Sequence, residues 1–173
     1  EMPCYPKLLI VSDVAVIPLP DFKQKQKQIG YLAQTAKLLG IQTPKIACIA
    51  PSEQLLPNVI SSTEGALLAK MADRGQLGNV VVDGPLSLDV ALYKEVAEHK
   101  KVKGSSVAGD PDCLLFPNLE SANVFFKSVT HLCGGELAAM VMGTKVPCVL
   151  TSRGDTSKTK LFSIALACLA VKK

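Results

Sequence analysis

The chain has 173 residues, of which 48% are hydrophobic and 20% charged, and a net charge of +4. That is long enough for one domain with a real core and too apolar for disorder. With three tyrosines, no tryptophan and lysines that cluster only at 23–27 and 100–103, nucleic-acid binding has little support. No uninterrupted apolar stretch spans a bilayer, and the N-terminus lacks the basic-then-apolar form of a signal peptide.

Taken in order, Leu8 to Val11 reads as a buried strand followed by Ser12-Asp13. Pro18 and Pro20 break what comes next. Asp21 is placed to cap a helix that runs to about Leu39 and ends at Gly40. Its apolar face carries Ile29, Leu32, Ala33, Ala36 and Leu39, with lysines and glutamines on the other side. Lys45 to Ala50 is a second strand and Pro51 to Ile60 a loop. Ser61 with Glu64 reads as a capping box that opens a helix to about Arg74, closed by Gly75 and Gly78.

Asn79 to Asp83 is a third strand, ending in Asp83-Gly84-Pro85-Leu86. Leu88 to Lys100 reads as helix and Ser105 to Asp110 as a small-residue loop. Cys113 to Phe116 is a strand stopped by Pro117. Glu120 to Leu132 is a helix with Val124, Phe125, Val129 and Leu132 inward. Leu137 to Met142 and Val146 to Leu150 read as strands, and Leu161 to Val171 as a helix that is apolar nearly all round. Strands alternate with helices and are continuous apolar runs. The pattern predicts an α/β fold, a mostly parallel sheet covered on both faces.

In such sheets ligands bind at the carboxyl ends of the strands. Asp13, Asp83 with Gly84, Asn118, and Ser152 with Arg153 all follow strands in this reading. For Asp13 and Asn118, ordinary turn chemistry is an adequate explanation. Asp83-Gly84-Pro85 asks for more, because a glycine frees the backbone for close approach and a proline stiffens it.

The stretch Thr151-Ser152-Arg153-Gly154-Asp155 is the sharpest candidate. A helix N-terminus attracts anions, and a guanidinium binds phosphate or carboxylate oxygens two at a time. The only arginines are Arg74 and Arg153, so placing one in this turn points to geometry as well as charge. Asp155, Thr156 and Ser157 are each competent to cap the helix. Turns built from Ser, Gly and Asp are common at such junctions, so the turn alone is weak grounds for a site.

Six cysteines are present, spread along the chain without a CxxC, and both histidines lie far from any cysteine pair. Buried free thiols in a reducing cytoplasm are the expectation, and no metal site. Cys148, near the turn, is expected in an apolar strand that discourages its use as a nucleophile.

Four ordered blocks carry a resemblance: Ser12 to Lys25 (SDVAVIPLPDFKQK), Val81 to Leu92 (VVDGPLSLDVAL), Val107 to Lys127 (VAGDPDCLLFPNLESANVFFK) and Gly143 to Asp155 (GTKVPCVLTSRGD). Together they resemble the phosphate acetyl/butyryltransferase family, the butyryl branch more than the acetyl branch. The resemblance implies an isocitrate dehydrogenase-like α/β fold with its site in a cleft between two domains. It implies transfer of a short or branched acyl group between coenzyme A and phosphate, with coenzyme A, acyl phosphate and inorganic phosphate as substrates. It implies no cofactor or metal, a homodimer or larger ring, and a cytoplasmic enzyme.

By motif, Ser152 and Arg153 match the family's paired hydroxyl and phosphate-clamping arginine. Asn123 and Lys127 match positions near coenzyme A, with Ser121-Ala122 and Phe126 departing from the usual residues. Asp83, Gly84, Pro85, Thr151 and Gly154 complete the expected binding set. The acetyl branch carries an aspartate seven residues past the serine, where this chain has Thr159. Asp155 either takes that role of base or only caps the helix. An early family asparagine is replaced by Val16.

The resemblance also implies a C-terminal half of a two-domain enzyme: residues 1–148 as an α/β domain, and 149–173 as site turn and closing helix packing on a first domain outside this chain. In the expected mechanism, Ser152 hydrogen-bonds the thiol sulfur or the oxyanion and Asp155 takes the proton. Arg153 and the helix N-terminus receive the phosphate, in direct transfer within a ternary complex. The alternative is a non-catalytic module of the same fold that binds coenzyme A or phosphate. A dehydrogenase ranks below both, since no GxGxxG and no carboxylate cluster for a metal occurs.

Overall fold

The computed structural model describes residues 1–171; the last two residues of the expected closing segment lie outside it. The chain divides into two compact units, Lys7–Phe126 and a smaller one made of Glu1–Pro6 with Lys127–Lys173.

The larger unit is built on four strands, β1 (Ile10–Ser12), β2 (Lys45–Ile49), β3 (Val81–Leu86) and β4 (Cys113–Leu115). They lie in the order β1-β4-β2-β3, and every pairing is parallel. Alternate side chains of each strand feed two cores, as the two-residue period requires. Ile46, Cys48, Val82, Cys113 and Leu115 point to one face, where α1 (Phe22–Leu38) and α2 (Ile60–Asp73) cover them. Ala47, Leu86, Leu114 and Phe116 point to the other. That face is covered by α3 (Leu88–Leu92), α4 (Lys94–His99) and α5 (Leu119–Leu132). Fully buried side chains such as Ile29, Ile46, Leu68 and Leu114 each contribute about 1.5–3 kcal/mol of burial.

Helix α1 begins as its sequence dictates. The Asp21 carboxylate accepts from the Gln24 amide at 2.7 Å, and the Gln24 side chain accepts from the Asp21 amide at 2.8 Å. Its inner face holds more than apolar residues, however. Lys25 and Gln28 are 5% and 3% exposed, so the lysines and glutamines do not all face water. Lys25 forms an ion pair with Glu64 of α2. The Gln28 side-chain amide has no hydrogen-bond partner among the described residues.

The capping box expected at Ser61 and Glu64 is absent. Val59 is the N-cap, and its aliphatic side chain has no atom to accept a bond; the Glu64 carboxylate pairs with Lys25 instead. The single helix expected over 88–100 is two short ones, broken at Tyr93, whose backbone is extended (φ −121, ψ 118). The third strand runs through Leu86, so Asp83-Gly84-Pro85 lies within β3 at a register irregularity between Ala47 and Ile49 of its neighbour, and not in a loop after it. The Gly84–Pro85 and Ser12–Asp13 peptides are cis. Helix α5 buries only Ala122, while Val124 and Leu132 are exposed.

In the smaller unit the strands expected at 137–142 and 146–150 do not form. One antiparallel bridge joins Val141 to Cys148, and Thr144 turns the chain by donating its hydroxyl to the Val146 carbonyl at 2.6 Å. An apolar run becomes a strand only where a neighbour takes up its backbone groups, and beyond that bridge no ladder forms here among the described residues. Helix α6 (Ser157–Leu169) buries Ser163 and Ala167 and leaves Leu161, Ile164 and Leu169 exposed. Among the described residues, no helix is long and apolar enough to cross a membrane.

Candidate active site

The turn that precedes α6 is closed on itself. The Asp155 amide donates to the Ser152 carbonyl at 3.1 Å, and the Ser152 amide donates to Asp155 Oδ2 at 2.6 Å. Thr156 is the cap of α6, its hydroxyl accepting from the Thr159 amide at 3.1 Å. Asp155 therefore does not cap the helix; it braces the turn. Arg153 and Gly154 occupy the outer corner and are exposed, while Thr151, Ser152 and Asp155 are half-buried. The Arg153 guanidinium makes no ion pair among the described residues. An arginine held at a helix start with its donors unspent is a competent anion clamp.

Cys148 does not sit in an apolar strand; it is exposed, as are Cys4, Cys133 and Cys168. Of the six thiols only Cys48 and Cys113 are buried, and burial pushes both up to about 12, the neighbouring charges of Asp83 and Asp112 adding to it. Neither is a thiolate at neutral pH.

In the larger unit Asp13 and Asn118 stand at the carboxyl edge of the sheet, where a parallel order places its ligands, while an ion-pair cluster of Lys7, Lys45, Asp110 and Asp112 stands at the amino edge. After β1, the Asp13 carboxylate accepts from the amides of Ala15, Val16 and Ile17 at 2.8–3.0 Å. After β4, Asn118 accepts from the Ser121 amide at 2.9 Å. Both are turn chemistry, as expected. Asn123 of α5 donates to the Val14 carbonyl at 2.9 Å, tying the helix to the loop after β1.

Asp83 accepts from the Gly84 amide at 2.8 Å. A Cβ on Gly84 would stand 2.6 Å from that of Cys48 and 3.3 Å from Cα of Gly65. The close approach that this glycine permits is thus between β3, β2 and α2. The ten expected site residues divide between the two units: Asp83, Gly84, Pro85 and Asn123 belong to the larger, and Lys127, Thr151, Ser152, Arg153, Gly154 and Asp155 to the smaller. Lys127 is half-buried in the second half of α5.

Two polar clusters at the carboxyl edge escaped the sequence reading. One is the Lys25–Glu64 pair. The other joins Lys100 to Asp89 at 3.0 Å, to Glu53 at 3.6 Å and to the Ser87 hydroxyl at 3.3 Å. The Ser87 hydroxyl and the Lys100 ammonium hold the Asp89 carboxyl down at about 2. The first was marked in the sequence by a lysine at 25, four residues before Ile29 and seven before Leu32, which is the spacing of one helix face. The second rests on contacts far apart in sequence and left no such mark. No group of metal-ligating side chains forms among the described residues.

The parallel sheet with helices on both faces defines an α/β protein, and a separate arginine turn precedes its last described helix. A family model described as "Phosphate acetyl/butaryl transferase" matches residues 2–168, and the chain belongs to that family. It is 43% identical over 165 residues to the phosphate butyryltransferase of Clostridium acetobutylicum, covering 95% of this chain and 54% of that protein. To the phosphate acetyltransferase of Thermotoga maritima it is 39% identical over 167 residues, 96% of this chain and 56% of the other. The crystal structure of a branched-chain phosphotransacylase from Enterococcus faecalis V583 superposes with a TM-score of 0.88 at 30% identity, covering 98% of this chain and 60% of that one. The chain spans about half the length of the curated relatives it matches.

Proposed function

We propose that this chain takes part in phosphate acyltransfer: acyl-CoA and phosphate exchange to acyl phosphate and coenzyme A, with a short or branched acyl group. The observation that carries the reading is Arg153, exposed and unpaired among the described residues at the corner of a braced turn, in a chain whose family is that of the phosphate acetyl/butaryl transferases. The names of its relatives, butyryl and acetyl transferases and a branched-chain phosphotransacylase, support the substrate class.

In this reading Arg153 binds the phosphoryl oxygens in pairs, and the first-turn amides of α6 add donors. A phosphate oxygen attacks the thioester carbonyl, the C–S bond breaks, and the proton of the phosphate passes to the departing sulfur. Ser152 donates to the oxyanion that forms on the carbonyl. Asp155 Oδ2 is engaged by the Ser152 amide, which leaves Oδ1 to carry the proton between phosphate and sulfur. Direct transfer needs no covalent enzyme, and buried Cys48 and exposed Cys148 are not called on. Asp83, Gly84, Pro85, Asn123, Lys127, Thr151 and Gly154 are assigned to coenzyme A and phosphate binding. A cytoplasmic homodimer or larger assembly goes with the reading.

The test is thiol release from butyryl-CoA on addition of phosphate, run beside acetyl and branched substrates. It is run with the chain alone and with the portion of the Clostridium relative that it does not match supplied in trans. Phosphate-dependent release supports the reading. Tight binding of coenzyme A with no release in either arrangement rules out transfer and leaves a binding module.

A further inference from the structure

Three elements of the larger unit meet at one point. Gly65 of α2 lies against β2 and β3: a Cβ there would stand 3.3 Å from Cys48 Cβ and 3.4 Å from Cα of Pro85. Gly84 of β3 lies against the same Cys48, too close for any side chain. The residue before Gly65 is Glu64, and its carboxylate reaches across to Lys25 of α1. Lys25 is almost fully buried, whereas the Glu64 side chain is 20% exposed. The two charges line a small recess at the carboxyl ends of β2 and β4, together with Cys48, Gly65 and Pro117.

A charge this deep is expensive unless it is paired, and a helix face that needs only apolar packing would not carry a lysine. Successive residues of α2 therefore do two things. Glu64 ties α2 to α1, and Gly65 seats α2 on the Asp83–Pro85 segment. The N-cap of α2, Val59, makes no side-chain bond, and Ser62 ties the preceding loop to the helix, its hydroxyl accepting from the Leu56 amide and donating to the Gln54 carbonyl.

We propose that Lys25 and Glu64 are positioning residues, a buried charged clamp that holds α2 against β3 and so sets the place of Asp83-Gly84-Pro85. The consequence for ligand binding rests on the functional reading above, which assigns that segment to coenzyme A. The clamp itself does not.

Two buried thiols make the clamp measurable without activity. Cys48 lies under the clamped contact, and Cys113 lies at the opposite, amino end of its strand in the same core. Peptide-resolved alkylation of the native protein is followed for wild type, Glu64→Gln, Lys25→Met and the charge-keeping Lys25→Arg. The clamp predicts that Glu64→Gln and Lys25→Met speed Cys48 modification at least about tenfold while Cys113 changes less than about twofold, with Lys25→Arg near wild type. Where a single variant fails to fold, Lys25→Met with Glu64→Leu, which leaves no unpaired buried charge, is measured instead, with the same expectation. Equal acceleration of both thiols, or of neither, overturns the clamp.

In protein competent for acyl transfer, Glu64→Gln and Lys25→Met raise KM for coenzyme A several-fold with kcat within about twofold, and Lys25→Arg leaves both near wild type. A selective Cys48 response with unchanged KM leaves the clamp standing and removes Asp83–Pro85 from the coenzyme A site.

Discussion

Ser152 and Asp155 hold each other twice across one turn: amide to carboxylate at 2.6 Å, and amide to carbonyl at 3.1 Å in return. The carboxylate is thus a structural part of the turn as well as the candidate base. The two roles respond differently to substitution. Asp155→Asn keeps an oxygen for the Ser152 amide and loses only the basic group; Asp155→Ala loses both and lets the turn open. The expected order of remaining thiol release is wild type, then Asn, then Ala, with about 10²-fold separating the first two if the carboxylate carries the proton. An Asn variant that works at the wild-type rate, with the loss confined to Ala, would mean that the carboxylate acts through the turn alone.

Gly84 has no room for a side chain. An alanine there would set its Cβ 2.6 Å from that of Cys48 and 3.2 Å from the Cys48 carbonyl oxygen, so two strands must separate. Gly84→Ala is expected to cost about 1–3 kcal/mol in denaturant unfolding, the usual range for overpacking. Adding Cys48→Gly, which removes the opposing Cβ, should recover part of it. Gly65→Ala, at 3.3 Å from the same atom, should cost less than Gly84→Ala.

Asp89 supplies a pH signature. The Ser87 hydroxyl and Lys100 hold its carboxyl at about 2, below the ordinary aspartate value of about 3.9. A carboxyl depressed by folding contributes stability above its unfolded value and loses it as pH falls through the folded one. Wild type should therefore be more stable than Asp89→Asn near pH 6, and the two should converge between about pH 4 and 2. Half the side chain is in solvent, so the gap should also shrink in high salt. A gap that is constant from pH 6 to 2 would place the effect elsewhere.

What the sequence disclosed followed the reach of local rules. Asp21 with Gln24, and Gly40 at φ +90, bound α1 where capping chemistry puts them. The parallel sheet was visible because buried strands are unbroken apolar runs. The same rule failed after residue 132: Val146 to Leu150 has the composition of a strand but no ladder to join, and Val146 and Leu150 stay exposed. Ser61 and Glu64 have capping-box spacing, yet Glu64 serves a lysine 39 residues away in sequence, which no local pattern reports. For the candidate site, Ser152, Arg153 and Asp155 were legible as a turn at a helix start. That Asp155 braces the turn while Thr156 caps the helix was not, because both residue types suit both positions.

Arg153 as the phosphate clamp is tested most directly by phosphate-dependent thiol release from butyryl-CoA by wild type and by Arg153→Ala, in the arrangement in which wild type is active. Two charge-assisted bonds to a phosphoryl group are each worth about 1.5–3 kcal/mol. The predicted result is a fall of at least about 10²-fold, with a raised KM for phosphate and an unchanged unfolding midpoint. Release by the variant at the wild-type rate and phosphate KM would contradict it.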